Sequence, residues 1–242
     1  MTQLQSHFRL VRKLQDALGD HLCVALDDAS VVEIMLNPDG RLFKAKVMTE
    51  AQASVLRSAI ASRMNIVISG GTGSGKTTLA NAVIAEIVAT APEDRMVILE
   101  DTAEIQCAAE NAVALHTSDS VDVARLLKST MRLRPDRIIV GEVRDGAALT
   151  LLKAWNTGHP GGVTTVHSNT AMSALRRLEQ LTAEASQQPM REVIGEAVDL
   201  VVSIERTGRG RRVRDVINVE GLKGATYQTE HYAQIDEDSH AA

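Results

Sequence analysis

The stretch Gly70-Gly71-Thr72-Gly73-Ser74-Gly75-Lys76-Thr77-Thr78 sets a glycine, four residues and then Gly-Lys-Thr in the order of a phosphate-binding loop. The glycines let successive backbone N–H groups turn toward phosphate oxygens. Lys76 offers a point charge to the β- and γ-phosphates, and the Thr77 hydroxyl is a ligand type that suits Mg²⁺. A plain glycine turn would share the composition. Here, however, the loop follows a β-branched run, Asn65 to Ser69, and opens a helical pattern, which is the context the chemistry needs.

In open parallel sheets ligands bind beyond the carboxyl ends of the strands, so further chemistry is expected at strand ends. Three apolar runs end in suitable residues. "RMVILED" closes with Glu100 and Asp101 and is followed by Glu104, "RIIVGE" closes with Glu142, and "GVTTVHS" closes with His167. A carboxylate so placed can coordinate Mg²⁺ or orient an attacking water. Glu142 is expected to activate water; among Glu100, Asp101 and Glu104 the choice of metal ligand stays open, since three acids within five residues cannot all touch one ion. His167 is expected to sense a γ-phosphate by donating a hydrogen bond. Position alone leaves a structural role for it equally open.

The elements that must position these residues alternate along the chain. A helix after the N-cap Thr49 ("EAQASVLRSAIASRM") precedes the strand "NIVIS". Then come helix "TTLANAVIAEIVA", strand "RMVILED", helix "SVDVARLLKSTMRL", strand "RIIVGE", helix "GAALTLLKAWNTG" and strand "GVTTVHS". Continuous apolar strands separated by amphipathic helices predict an α/β fold with a mostly parallel sheet covered on both faces, spanning roughly 49–203. Two more helices and a terminal hairpin, "LVVSIERT" and "RRVRDVINVEGL" around "GRG", are expected to follow. The acidic tail from Tyr232 reads as disordered.

Composition excludes several classes. With 26 basic and 31 acidic residues the net charge is −5, and aromatic residues make up 2% of the 242. There is no basic field to hold a nucleic-acid backbone and little to stack on bases, so no direct nucleic-acid ligand is expected. Two isolated cysteines, Cys23 and Cys107, exclude a disulfide framework and suit a reducing compartment. The N-terminal stretch carries charge throughout, unlike a signal peptide, and no apolar run approaches bilayer length.

Together these segments resemble the secretion-traffic ATPases of type IV secretion, type II secretion and type IV pili. "ISGGTGSGKTTLANAV" is similar to their Walker A, "VILEDTAEIQ" to their aspartate box, "RLRPDRIIVGEVRDGAA" to their Walker B ending in Gly-Glu, and "TGHPGGVTTVHSNTA" to their histidine box. The resemblance implies a RecA-like P-loop NTPase domain that hydrolyses ATP with Mg²⁺. It also implies a homo-hexameric ring at the cytoplasmic face of the inner membrane, working on secretion-channel proteins there. The family's roles carry onto Lys76, Glu142 and His167 for catalysis and onto Thr77, Asp101 and Glu104 for Mg²⁺. Arg132, Arg134 and Arg144 fall on its arginine positions without a role being assignable among them. The chain lacks the four-cysteine zinc module of many type II and pilus members, which favours the conjugation and type IV secretion branch.

Family members carry a complete α+β N-terminal domain. "LGDHLCVALDDASVVEIMLNPDGRLF" resembles only its beginning, with a hairpin whose second strand is expected to start at Arg41 and stop after Phe43. The expected organisation is therefore a remnant of that domain and linker over 1–48, the ATPase domain over 49–231 and the tail over 232–242, with most of the N-terminal domain missing after Phe43. Other classes stay open: a nucleotide-responsive assembly module with little hydrolysis, and a RecA-like DNA translocase that the charge balance disfavours. The run Arg206, Arg209, Arg211, Arg212 and Arg214 reads either as a solvated edge that discourages strand pairing or as a docking patch for an anionic surface.

Overall fold

The computed structural model describes residues 33–36, 42–45, 47–208 and 210–232. The described residues divide into two compact units at Val47/Met48, the first also taking Thr207–Arg212. The first unit contains an antiparallel pair, β1 (Glu33–Leu36) and β2 (Leu42–Ala45), with Leu36 opposite Leu42 and Glu33 opposite Ala45. The second strand thus begins one residue after the expected Arg41 and runs past Phe43. Lys44 and Ala45, expected to open the linker, are ladder residues instead. The expected turn at residues 37–41 lies outside the described residues.

The larger unit follows the predicted alternation. Its elements are α1 (Glu50–Ala61), β3 (Ile66–Gly70), α2 (Lys76–Thr90), β4 (Met96–Glu100), β5 (Ala112–His116), α3 (Val123–Thr130), β6 (Arg137–Val140), α4 (Ala147–Asn156), β7 (Val163–His167), α5 (Ala171–Ala183), α6 (Arg191–Ala197), β8 (Leu200–Thr207), β9 (Gly210–Lys223) and β10 (Thr226–Tyr232). The eight strands form one sheet in the order β10-β9-β8-β3-β7-β6-β4-β5. The pairs β8–β3, β3–β7, β7–β6, β6–β4 and β4–β5 are parallel, and β9–β10 is antiparallel.

Local chemistry explains the boundaries. Thr49 and Gln52 close a capping box at the start of α1, and Thr170 with Ser173 does the same for α5. The Asp122 carboxylate accepts the Arg125 N–H to open α3. Every residue of β3, β4 and β6 is buried, as continuous apolar strands covered on both faces must be. The core is aliphatic, with Trp155 and Tyr227 its aromatic members among the described residues.

Two strands depart from expectation. β5 lies at the parallel edge, beside β4, in a stretch for which no strand was expected. β10 turns the expected terminal hairpin into a three-stranded meander that includes Tyr232, so the tail starts later than foreseen. Residues 233–242 lie outside the described residues.

The amino ends of the strands are tied by a buried polar knot. Asn65 Oδ1 accepts the N–H groups of Gly161 and Gly162 at 2.9 and 3.0 Å, while its Nδ2 donates to the Ala197 carbonyl. Arg137, 2% exposed, donates through Nε to Asp94 at 2.6 Å and through Nη1 to the Gly161 carbonyl. Arg63 closes on the same aspartate from outside. The Trp155 indole donates to the Ile138 carbonyl so close to Gly162 that a Cβ there would lie 2.0 Å from Nε1.

Candidate active site

Strand register brings the predicted site residues together. Gly70, the last residue of β3, pairs with His167, the last of β7; β6 lies next to β7, and Leu99 of β4 pairs with Val140 of β6. The carboxyl ends of four neighbouring strands therefore carry, in order, the phosphate loop, His167, Gly141-Glu142 and Glu100-Asp101. β6 itself stops at Val140, and the Gly141 N–H bonds back to the Leu99 carbonyl, so Glu142 sits just past the strand rather than at its end.

The loop between β3 and α2 has the backbone its glycines permit. Gly73 (φ 69°) and Gly75 (φ 97°) occupy the left-handed region, where side chains are strained. Gly75 caps α2, which leaves the first-turn N–H groups of that helix facing the loop. A Cβ on Gly70 would meet Ser74 Oγ at 2.3 Å and the Ile204 carbonyl at 2.5 Å. Gly71 accepts from Ser74 N–H, and Thr72 and Thr78 are exposed.

Lys76 is 8% exposed. Its ammonium donates to the Gly71 carbonyl at 3.2 Å and lies 3.4 Å from His167 Nδ1. Burial lowers its pKa below the usual lysine value, opposed by the nearby Glu142 charge. Because an ammonium only donates, His167 Nδ1 must accept and Nε2 then carries the ring proton. Nε2 is 3.0 Å from Glu142 Oε1 but off the hydrogen-bond axis, so this buried oxygen has no aligned donor. The other oxygen, Oε2, is gripped by Arg144 through Nε at 2.8 Å and Nη2 at 2.7 Å. That contact raises the Arg144 pKa further.

The Thr77 hydroxyl donates to Glu104 Oε2 at 3.0 Å. The other two acids after β4 also line the cleft but bond to other partners. Asp101 accepts from the Thr117 hydroxyl at 3.0 Å and faces Arg144 at 3.7 Å. Glu100 is buried and bonds to the backbone of its own loop. Lys76, Thr77, Glu104, Glu142 and His167 line one cleft of about 230 Å³ at the mouth of the phosphate loop. Asp101 lies on its rim, shared with a second polar cavity of about 240 Å³.

Among the described residues, no three His, Cys, Asp or Glu side chains converge to hold a metal unaided. A hydroxyl and a carboxylate 3.0 Å apart nevertheless fit Mg²⁺, which commonly takes one or two protein oxygens and completes its shell with phosphate and water.

Of the family's arginine positions, Arg144 reaches the cleft. Arg132 and Arg134 stand exposed before β6, at the opposite end of the sheet. The histidine box divides in the same way. His167 is at the cleft, whereas His159, Gly161 and Gly162 lie before β7, with His159 Nδ1 2.9 Å from the Pro135 carbonyl.

A family model described as type II/IV secretion system protein matches residues 19–210. The chain belongs to that family. Within the type II/IV secretion family it is 64% identical to the conjugal transfer protein TrbB of Rhizobium radiobacter, with all of both chains covered. That alignment spans 323 positions, and since this chain has 242 residues, 323 less 242 leaves at least 81 positions with no residue here. It is 35% identical to the type IV secretion system protein VirB11 of Bartonella quintana over 67% of this chain and 48% of that protein. Among solved structures, the VirB11 ATPase of the Brucella suis type IV secretion system, in complex with sulphate, superposes with a TM-score of 0.64 at 31% identity, covering 68% of this chain. The match takes in about half of that protein, 51% of its length. The architecture is the RecA-like one of these family members.

Proposed function

We propose that this chain binds ATP with Mg²⁺ and hydrolyses it as the motor of a conjugation or type IV secretion apparatus, in a homo-hexameric ring at the cytoplasmic face of the inner membrane. Channel proteins there are its partners. The observation that carries this reading is the convergence of Lys76, Thr77 with Glu104, and Glu142 with His167 on one cleft.

Backbone N–H groups of Gly70 to Thr78 bind the phosphates, and Lys76 exchanges its Gly71 and His167 contacts for them. Thr77 and Glu104, with Asp101 near them, would hold Mg²⁺, which when bound would supply positive charge to the β- and γ-phosphate oxygens. Once His167 turns from it toward the γ-phosphate, Glu142 Oε1, buried and without an aligned donor, takes the water's hydrogen bond and proton, while Arg144 fixes Oε2. His167 orients toward the γ-phosphate.

For the domain plan we infer a remnant and linker over 1–48, the ATPase domain over 49–232 and a tail over 233–242, with the shortfall of at least 81 positions falling after Phe43. That shortfall favours a second reading, a nucleotide-responsive assembly module with little hydrolysis. Steady-state ATP turnover of this chain beside Lys76→Ala decides between them. Turnover well above the variant supports the motor, and equal rates support the assembly module.

A further inference from the structure

The segment from 103 to 109 has no helix or strand to hold it, yet it carries Glu104. Backbone groups without a ladder need other partners, and here two side chains supply them. From β4, the Glu100 carboxylate, in a residue 5% exposed, accepts on Oε1 the N–H of Glu104 at 3.0 Å and of Ile105 at 2.8 Å. From α2, Asn81 donates to the Glu104 carbonyl at 3.3 Å and accepts the Gln106 N–H at 2.9 Å. Charge-assisted bonds such as those of Glu100 are the stronger kind.

Glu100 also accounts for Gly141. A Cβ at 141 would stand 3.1 Å from Glu100 Cγ and 3.3 Å from Oε1. The glycine before Glu142 therefore leaves room for the Glu100 side chain to cross the backbone of the neighbouring strand.

We propose that Glu100 is a positioning residue for the metal. Its buried carboxylate folds the loop after β4 so that Glu104 stands beside Thr77, and Glu100 itself does not touch the ion. This rests on the reading that Thr77 and Glu104 hold Mg²⁺. All three acids of the "LEDTAE" run line the cleft, but Glu100 spends Oε1 on the loop backbone while Glu104 meets Thr77.

The test uses the full chain with Glu100→Ala, Glu100→Gln, Glu104→Ala, Gly141→Ala and the Glu100→Ala/Glu104→Ala double variant. Two quantities are read: hydrogen exchange of the 104 and 105 amides without nucleotide, and the Mg²⁺ concentration that half-saturates binding of N-methylanthraniloyl-ATP. Glu100→Ala should speed exchange of both amides and raise the half-saturating Mg²⁺ about 10- to 100-fold, the usual cost of losing a group that orients a metal ligand. Glu104→Ala should raise it comparably while leaving amide 105 protected, and the double variant should be no worse than the poorer single. Glu100→Gln keeps an acceptor oxygen and should retain most of the function. Gly141→Ala, which removes no polar group, should fall between, and it serves if Glu100→Ala fails to fold. Unchanged exchange in Glu100→Ala, or effects that multiply in the double variant, would overturn the proposal. An unchanged Mg²⁺ requirement in Glu104→Ala would instead overturn the metal assignment, and the role of Glu100 with it.

Discussion

Glu142 divides its two oxygens between the Arg144 guanidinium and a buried place beside His167, and this division sets the clearest expectation for any single side chain. Glu142→Gln should still bind ATP but turn over about 10² to 10⁴ times more slowly, the usual loss when a proton-transfer group is removed. Single-turnover assays beside equilibrium binding would check it, and an unchanged rate would end the assignment. For His167 the contrast is between ligands: His167→Ala should weaken ATP far more than ADP, because only ATP carries a phosphate for the imidazole to meet. Equal losses would return it to a structural role. These residues were legible in the sequence because each closes an apolar run or follows the glycine loop. The division of labour among Glu100, Asp101 and Glu104 was not, since spacing cannot say which of three acids turns back onto its own backbone. Nor could it single out Arg144 from Arg132 and Arg134, which differ in the sheet end they occupy.

At the level of strands and helices, the knot of Asn65, Asp94, Arg137 and Gly161 holds the ends of β3, β6 and β7 opposite to the cleft. Burial alone would push the Asp94 carboxyl up, but its hydrogen bonds to Arg137 and Arg63 outweigh that and hold its pKa below the ordinary aspartate value. A depressed carboxylate stabilises the fold fully above its unfolded value near 4, and that contribution is lost as pH falls through the lowered one. Asp94→Ala should cost about 3 to 5 kcal/mol at neutral pH by stranding the buried Arg137 charge, and the deficit should shrink in acid, where the parent loses the same contact. Urea titrations at neutral pH and near pH 3 would show it, and a deficit independent of pH would refute the pairing. Gly162→Ala should also destabilise, by about 1 to 3 kcal/mol or more, because Trp155 has no room to move. The histidine box looked like one functional unit in the sequence, and β7 explains why it is two. Its five residues span roughly 16 Å, so one end packs while the other does chemistry. β5 escaped notice because "AVALH" is short, alanine-rich and half exposed, a pattern that resembles a loop as much as an edge strand.

For the molecule as a whole, at least 81 aligned positions of a 64%-identical relative have no residue here. If they belong to a domain that encloses the base, phosphate recognition should persist while affinity falls. By analogy with lost base stacking, about 1 to 3 kcal/mol corresponds to a roughly 5- to 150-fold weaker Kd for ATP, with low turnover and a less stable ring. Calorimetry and sedimentation beside a chain carrying the restored segment would test this, and matching values would show the segment to be dispensable. The α/β class was legible because strand and helix periods alternate cleanly, whereas the order of strands depends on pairings between distant segments. That order fixes a timetable. β3 pairs with β7 and β8 and with nothing nearer in the sequence, so the strand that ends in the phosphate loop has no neighbour when it leaves the ribosome. About a hundred further residues must be made first, roughly 5 to 20 s of synthesis. A chain broken off before Val163 leaves that strand without a ladder partner, and ATP should give it no protection in limited proteolysis.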